Sequence, residues 1–548
     1  MSSSGFPLAS AGVAACLALT FLAPAPLPAQ PLTPGAVQET LRPRPPSREQ
    51  DISPPAAPAP APPRAAVPAD QRRVRIARVV FSGNTLYSDE ELRAIIADQT
   101  GAELTLADIY ALADRLTEFY QGKGYSLTTV TVPAQRMQDG VLRLEVVEGR
   151  VGRLVFTGNE RYGEEFLAGQ LDLVQPGTVL RFADLEREVL LLNDLPGLLA
   201  RSLLVPGEEY GTTDLNLRME EKPVAASAVL DNSGRKVIGK WRLGADFTLN
   251  NPLGRGDALG LGYTHSQSNL LRQGRLSYGL PVLASGSRLN LSYSRAEYEV
   301  GEEFAALDIA GVSETARLQF SHPFLRSRRS NLSATVGAAH VLGQSDMLAI
   351  PISDDEINYF EAGLNFSHRN ATGGLSSLSG QVASNFRSNA DGRDSKSLPP
   401  RLELRGEHEH FFAPAWSAAL RGEAVWSSEA LPDSNKYSLG GPASVRGFVA
   451  SWLRGDRGLM GSLELRRGLT LAGGDLLLRG FVDTGKVYHE IPLADGSDSQ
   501  TLASAGLGLT ASFAGRYVLD LQWARPIDGK DSGDGLSAPL WVTVTALY

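Results

Sequence analysis

At 548 residues the chain exceeds what one small core organises, and a working figure of roughly 100 to 200 residues per domain allows about three units. Charged residues make up 21%, 56 glycines are present, and no run of about 20 consecutive apolar residues occurs, which excludes a polytopic helical membrane protein. The net charge of −9 argues against a nucleic-acid binder, and one cysteine, Cys16, excludes disulfide frameworks and cysteine-ligated metal sites.

In chain order, residues 1–29 read as a signal peptide. Val13 to Ala23 is an apolar core of the length accepted for export, followed by small residues that allow cleavage after Ala25 or Ala29. Residues 30–73 form a proline-rich linker, with 15 of the 33 prolines falling between Pro24 and Pro68. Such a segment packs no core and stays extended and semi-rigid. Within it only Pro34 to Leu41 is predicted to make a short helix.

A repeat follows. Val80-Phe81-Ser82-Gly83-Asn84-Thr85 recurs as Val155-Phe156-Thr157-Gly158-Asn159-Glu160, an offset of 75 residues. After each copy the period turns helical. Ser88 with Glu91 makes a capping box ahead of Leu92, Ile95 and Ile96, and Ile109, Leu112, Leu116 and Phe119 mark a second helix ended by Gly122-Lys123-Gly124. Strands are predicted at Leu127 to Val132 and Val141 to Val147. The second copy repeats the order, with helices around Leu167 and Val189 and strands at Ala200 to Val205 and Asp214 to Met219. Each unit is a small α+β module whose edge strands leave N–H and C=O groups open to strand addition by an extended peptide.

Beyond Lys222 two-residue alternation takes over. Leu289, Leu291 and Tyr293 interleave with polar neighbours, as do Ala316, Leu318 and Phe320, and Tyr517, Leu519, Leu521 and Trp523. The 326 residues from Pro223 to Tyr548, at about 20 per strand with its turn, predict an antiparallel β-barrel of about sixteen strands, with the apolar face toward lipid and the polar face toward the lumen. Val542, Val544, Ala546 and Tyr548 share the last apolar face.

The two repeats, with Tyr120 to Tyr125 and Leu127-Thr128-Thr129-Val130, resemble POTRA modules, the periplasmic units that precede outer-membrane barrels. Gly440-Gly441-Pro442-Ala443-Ser444-Val445-Arg446-Gly447-Phe448, then Gly480-Phe481-Val482-Asp483-Thr484-Gly485, with Asp231-Asn232-Ser233-Gly234 and Asn251-Pro252-Leu253-Gly254, resemble the two-partner secretion transporters, the TpsB class. The resemblance implies domains at 74–148 and 149–222 for the modules and 223–548 for the barrel. It implies a lumenal loop motif of Val445, Arg446, Gly447 and Phe448, whose arginine meets Asp483 on a barrel-wall strand with Phe481 and Gly485. Arg446 supplies bidentate geometry and Gly447 a tight approach.

The expected function is an outer-membrane pore, with its modules in the periplasm, that recognises and exports one large unfolded partner, a TpsA-like exoprotein of adhesin, haemagglutinin or haemolysin type. The module edge strands and grooves would bind the substrate. Other expected partners are outer-membrane lipid and the barrel assembly machinery that inserts the chain, and not nucleic acid. A barrel-assembly or insertase role in the same superfamily is the alternative. No cofactor, metal or catalysis is expected. The Asp483 motif also resembles an aspartic-protease loop, with Asp531-Ser532-Gly533 as a second aspartate, but the two lie 48 residues apart and the second sits in a turn. His408 and His410 share a strand face with no third ligand nearby in sequence. Pro43 to Pro68 reaches about 80 Å as polyproline at about 3.1 Å per residue, enough to carry the short helix into the lumen as a plug.

Overall fold

The computed structural model describes residues 33–41, 72–390, 393–395, 400–471, 473–528, 531–533 and 535–548. The expected signal peptide and the stretch Pro43 to Pro68 lie outside the described residues.

Both repeats fold as three strands against two helices. In the first, Val141–Val147 is central, parallel to Arg78–Ser82 and antiparallel to Thr129–Thr131. In the second, Thr212–Glu221 is central, parallel to Arg150–Thr157 and antiparallel to Leu198–Pro206. The helix Leu106–Gly122 buries Ile109, Leu112, Ala113, Leu116 and Tyr120 on one face, the spacing a helix needs to cover a sheet. Capping boxes open this helix (Thr105 with Asp108) and Asp89–Ile95 (Ser88 with Glu91). The helices Glu164–Gly169 and Phe182–Asn193 play the same parts in the second module. One feature was not anticipated: Arg73–Arg75 pairs with Glu103–Thr105 as a separate two-stranded sheet.

The repeated Gly-Asn turn has one physical cause in both copies. Gly83 and Gly158 sit at φ 82° and 79°, where a Cβ would lie 2.3 Å from the Val146 carbonyl and 2.4 Å from that of Met219. Asn84 donates to the Tyr87 carbonyl and Asn159 to that of Tyr162, each at 3.0 Å. A carboxylate from the end of the central strand then gathers the turn's orphan N–H groups. Glu148 accepts from Thr85 and Leu86 at 2.7 and 2.9 Å, and Glu221 accepts from Glu160, Arg161 and Tyr162 at 3.0, 3.0 and 3.1 Å.

The Gly122-Lys123-Gly124 turn is also the joint between the modules. The Gly124 carbonyl accepts from Phe182 N at 3.0 Å, and Leu127 packs into the second module's core. That module rests on the short turns at one end of the barrel. Arg326 grips Asp194 with two bonds of 2.8 Å, Arg328 N donates to Glu186 at 2.8 Å, and Arg187 reaches the Ser285 carbonyl at 3.2 Å.

Sixteen antiparallel strands close the barrel, from Val224–Asp231 to Leu540–Leu547, with the short Arg393–Ser395 added against Leu375–Ala390. Alternation sorts the faces as expected from the sequence: Leu291, Leu318, Leu463, Leu507 and Trp523 are exposed outward, whereas Ser462, Glu464, Phe481 and Asp483 on alternate positions are buried inside. The wall is uneven. The first and last strands have 8 residues each and meet only from Ser227 opposite Leu547 to Asp231 opposite Thr543, whereas Ile309–Arg326, Ser330–Met347 and Ile350–Arg369 have 18, 18 and 20.

Candidate functional site

The long connection between strands Trp416–Trp426 and Arg457–Leu471, at the end of the barrel away from the modules, folds back into the lumen. Its two arms pair as a hairpin, Tyr437–Leu439 with Leu453–Gly455. Gly440 and Gly441, at φ 108° and 96°, turn the chain between them, and a Cβ on Gly440 would meet the Val449 carbonyl at 2.3 Å. Val445, Phe448, Val449, Trp452 and Leu453 form an apolar core with lumen-facing wall residues Met460, Val487 and Leu502. The loop is therefore a small packed body inside the barrel, and Val445 and Phe448 are its interior.

Arg446 projects from this body into the wall and is 2% exposed. Its Nε donates to Asp483 Oδ2 at 2.7 Å and its Nη2 to Asp483 Oδ1 at 2.6 Å, a bidentate pair strengthened by Arg446 N to Oδ2 at 3.1 Å. Nη1 donates to Glu464 Oε1 at 2.5 Å and Nη2 to Ser462 Oγ at 2.9 Å. The guanidinium carbon lies 3.3 Å from the centroid of the Phe481 ring, stacked as a planar cation on a π face. Trp541 Nε1 donates to the Arg446 carbonyl at 2.8 Å. Gly447 N donates to Ser504 Oγ at 3.1 Å, and a Cβ there would come within 2.5 Å of Ser504 Cβ, so only glycine lets the tip lie against the wall. Gly485 has the same office beneath Leu439, whose methyls would stand 2.8 Å from a Cβ.

The structure thus brings Arg446, Asp483, Phe481 and Gly485 together. Sequence reasoning missed Glu464, Ser462, Ser504 and Trp541. Their only signal was strand parity, which sets them on the lumenal face but not at the level of Arg446. Both Asp483 oxygens are committed to Arg446, so neither is available to share a proton with a second aspartate, and Asp531 binds Gly533 N within its own turn. His408 and His410 fall on the outward face of their strand, and no cluster of three metal-ligating side chains occurs among the described residues.

A second body shares the lumen. The helix Pro34–Thr40 packs Val37 and Leu41 against Leu271, Ala296 and Tyr298, and Gln38 donates to Thr315 on the wall at 2.9 Å. It also leans on the folded-back loop. Gly35 N donates to Asp433 at 3.2 Å, Ser451 to the Ala36 carbonyl at 3.4 Å, and Arg454 to Thr33 Oγ1 at 2.6 Å while pairing with Asp433.

A family described as haemolysin secretion/activation protein ShlB/FhaC/HecB matches residues 211–511, more than half of the chain, and a ShlB-type POTRA domain matches 74–149. The chain belongs to the ShlB/FhaC/HecB family. The heme/hemopexin transporter protein HuxB of Haemophilus influenzae is 26% identical over 468 residues, 82% of this chain and 83% of that one. The solved structure of CdiB from Escherichia coli matches with a TM-score of 0.75 at 22% identity, covering 90% of this chain and 94% of that one. BamA from Haemophilus ducreyi lacking POTRA domains 1–3 is a more distant likeness of fold, with a TM-score of 0.51 at 15% identity over 87% of this chain and 100% of that one. As a member of the ShlB/FhaC/HecB family the chain is an outer-membrane transporter of two-partner secretion, with its POTRA modules in the periplasm.

Proposed function

We propose that this transporter is held shut by two bodies in its lumen and that the loop carrying Arg446 is the principal gate. The exported partner is an adhesin, haemagglutinin or haemolysin-like exoprotein, captured unfolded by the exposed strand edges of the modules. Leu198–Pro206 is one such edge, with Leu203 half exposed along it. The helix Pro34–Thr40 acts as a plug, and the chain performs no catalysis. Outer-membrane lipid surrounds the barrel and the barrel assembly machinery inserts it. The boundaries 74–148, 149–222 and 223–548 divide capture from passage.

The observation that carries this reading is the Arg446–Asp483–Glu464 cluster. A charge group so deeply desolvated fixes the loop in one place as long as it is intact, and removing one partner costs about 3–5 kcal/mol. Replacing Arg446 with Ala is expected to abolish export of the partner while the barrel still inserts and keeps its heat-modifiable mobility on gels. Normal export by that variant would refute the gate. Capture is tested apart from it: a fragment spanning residues 73–223, shown to be folded by circular dichroism, is expected to bind the partner's unfolded amino-terminal segment.

A further inference from the structure

We infer that one sector of the barrel's outer surface, at its periplasmic rim, is a binding site for the phosphodiester headgroups of phospholipid in the inner leaflet. The inference rests on the membrane orientation given above. In the register of the wall, Ser330 stands opposite His368, His368 opposite Ser376, and Ser376 opposite His408, a single row across four neighbouring strands. Ser330 Oγ meets His368 Nδ1 at 2.8 Å and Ser376 Oγ meets His408 Nδ1 at 2.8 Å. The next strand pair repeats the device, with Ser287 Oγ 2.7 Å from His322 Nδ1. Each serine engages its ring through Nδ1, and where the hydroxyl donates, Nε2 carries the ring's N–H.

Ser330, His368, Ser376, His408 and His322 lie on the outward face, whereas Ser287, in the turn before its strand, is itself buried. The five share strand parity with Leu318, Leu364, Leu378 and Leu404, which are exposed to the bilayer, and they lie within a few residues of the periplasmic turns. A hydroxyl–imidazole row is a poor neighbour for hydrocarbon but suits the headgroup level, where His, like Tyr and Trp, presents an apolar body and a polar tip. Aromatic rings flank it: Phe324 packs edge-on to His322 at 4.8 Å, and Phe366 stacks near His368. Farther along the same rim the Arg467 guanidinium lies 5.2 Å from the Trp416 ring. Glu361, Glu403, Glu407, Glu409 and Glu464 on these strands occupy lumenal positions, where arginines such as Arg317, Arg401, Arg405 and Arg466 pair with them, so the outward rim of the sector presents hydroxyl and imidazole groups, with Arg467 beyond them as a cation, to an acceptor that is always anionic.

The test uses the full chain, purified and delipidated in neutral detergent, titrated with phosphatidylglycerol and read by native mass spectrometry and by the shift in heat-modification midpoint. The variant H322L/H368L/H408L is expected to bind phosphatidylglycerol at least tenfold more weakly than the parent and to lose the midpoint shift, while still exporting the partner in cells. Equal lipid binding by variant and parent would overturn the inference. So would inorganic phosphate at equal concentration reproducing the parent's shift, because the site would then read a free anion. If the triple variant does not fold, H368Q/H408Q is read in its place, with a threefold or greater loss expected and no loss overturning the inference. Export lost by R446A with lipid binding intact leaves the gate and the rim separately judged.

Discussion

The two bodies inside the lumen are held in different ways. The loop tip is bound by charge. The Arg446 guanidinium makes two bonds to Asp483, one to Glu464 and one to Ser462 and lies on Phe481, and the residue is 2% exposed, so water offers little compensation if any partner leaves. The helix Pro34–Thr40 has 7 residues, too few to be stable alone in water, and depends on Val37, Gln38 and a latch, Asp433 with Arg454, that belongs to the loop. The lesson is one of order: loss of the loop undoes the helix's support, whereas loss of the helix leaves every Arg446 contact in place.

This asymmetry is open to attack from its strongest point downward. R446A strands two carboxylates in the wall and is expected to abolish export. R446K, which keeps the charge but not the fork, is expected to fall between. F481L removes the π face under the guanidinium, a loss of about 1–2 kcal/mol for a desolvated pair, and is expected to weaken the gate without abolishing export. Deleting residues 30–42 is expected to raise single-channel conductance in planar bilayers, and R454A to raise it by a smaller step because Val37 still packs. Conductance unchanged by both would show the helix to be a passenger. A larger effect of R454A than of the deletion would reverse the order argued above.

Much of this is legible in the sequence because the relevant signals are local. The Gly-Asn turns, the capping box at Ser88, the alternation beyond Lys222 and the motif around Arg446 each declare themselves within ten residues. What stayed hidden depends on register. Glu464 and Ser462 face the lumen by parity alone, but only the pairing of Ser462 with Asp483 across two strands puts them at the level of Arg446. Trp541 comes within reach because barrel closure returns the last strand to the first. The latch between Asp433, Arg454 and Thr33 joins segments about 400 residues apart, and no short-range pattern encodes it. The pair Arg73–Arg75 with Glu103–Thr105 was missed because three-residue strands carry too little alternation to be read.

The joints beneath the barrel should respond far less than the gate. Asp194 with Arg326 and Glu186 with Arg328 are partly exposed, and such pairs contribute about 0–1 kcal/mol each. D194N with E186Q is therefore expected to slow export at most a few-fold. Within the second module the corresponding handle is Asp214. Its carboxylate accepts Arg153 N at 2.8 Å and grips the same residue's guanidinium at 3.0 and 2.8 Å, and these bonds hold it below the usual carboxylate range. A group whose folded pKa is lowered contributes stability above its unfolded value and loses it as pH falls through the folded one. The melting temperature of the 73–223 fragment should therefore drop on acidification below about pH 4, the ordinary range for an aspartate. In D214N that part of the drop should vanish, at the cost of a lower melting temperature at neutral pH. A variant as acid-sensitive as the parent would show that Asp214 does not carry the module's acid response.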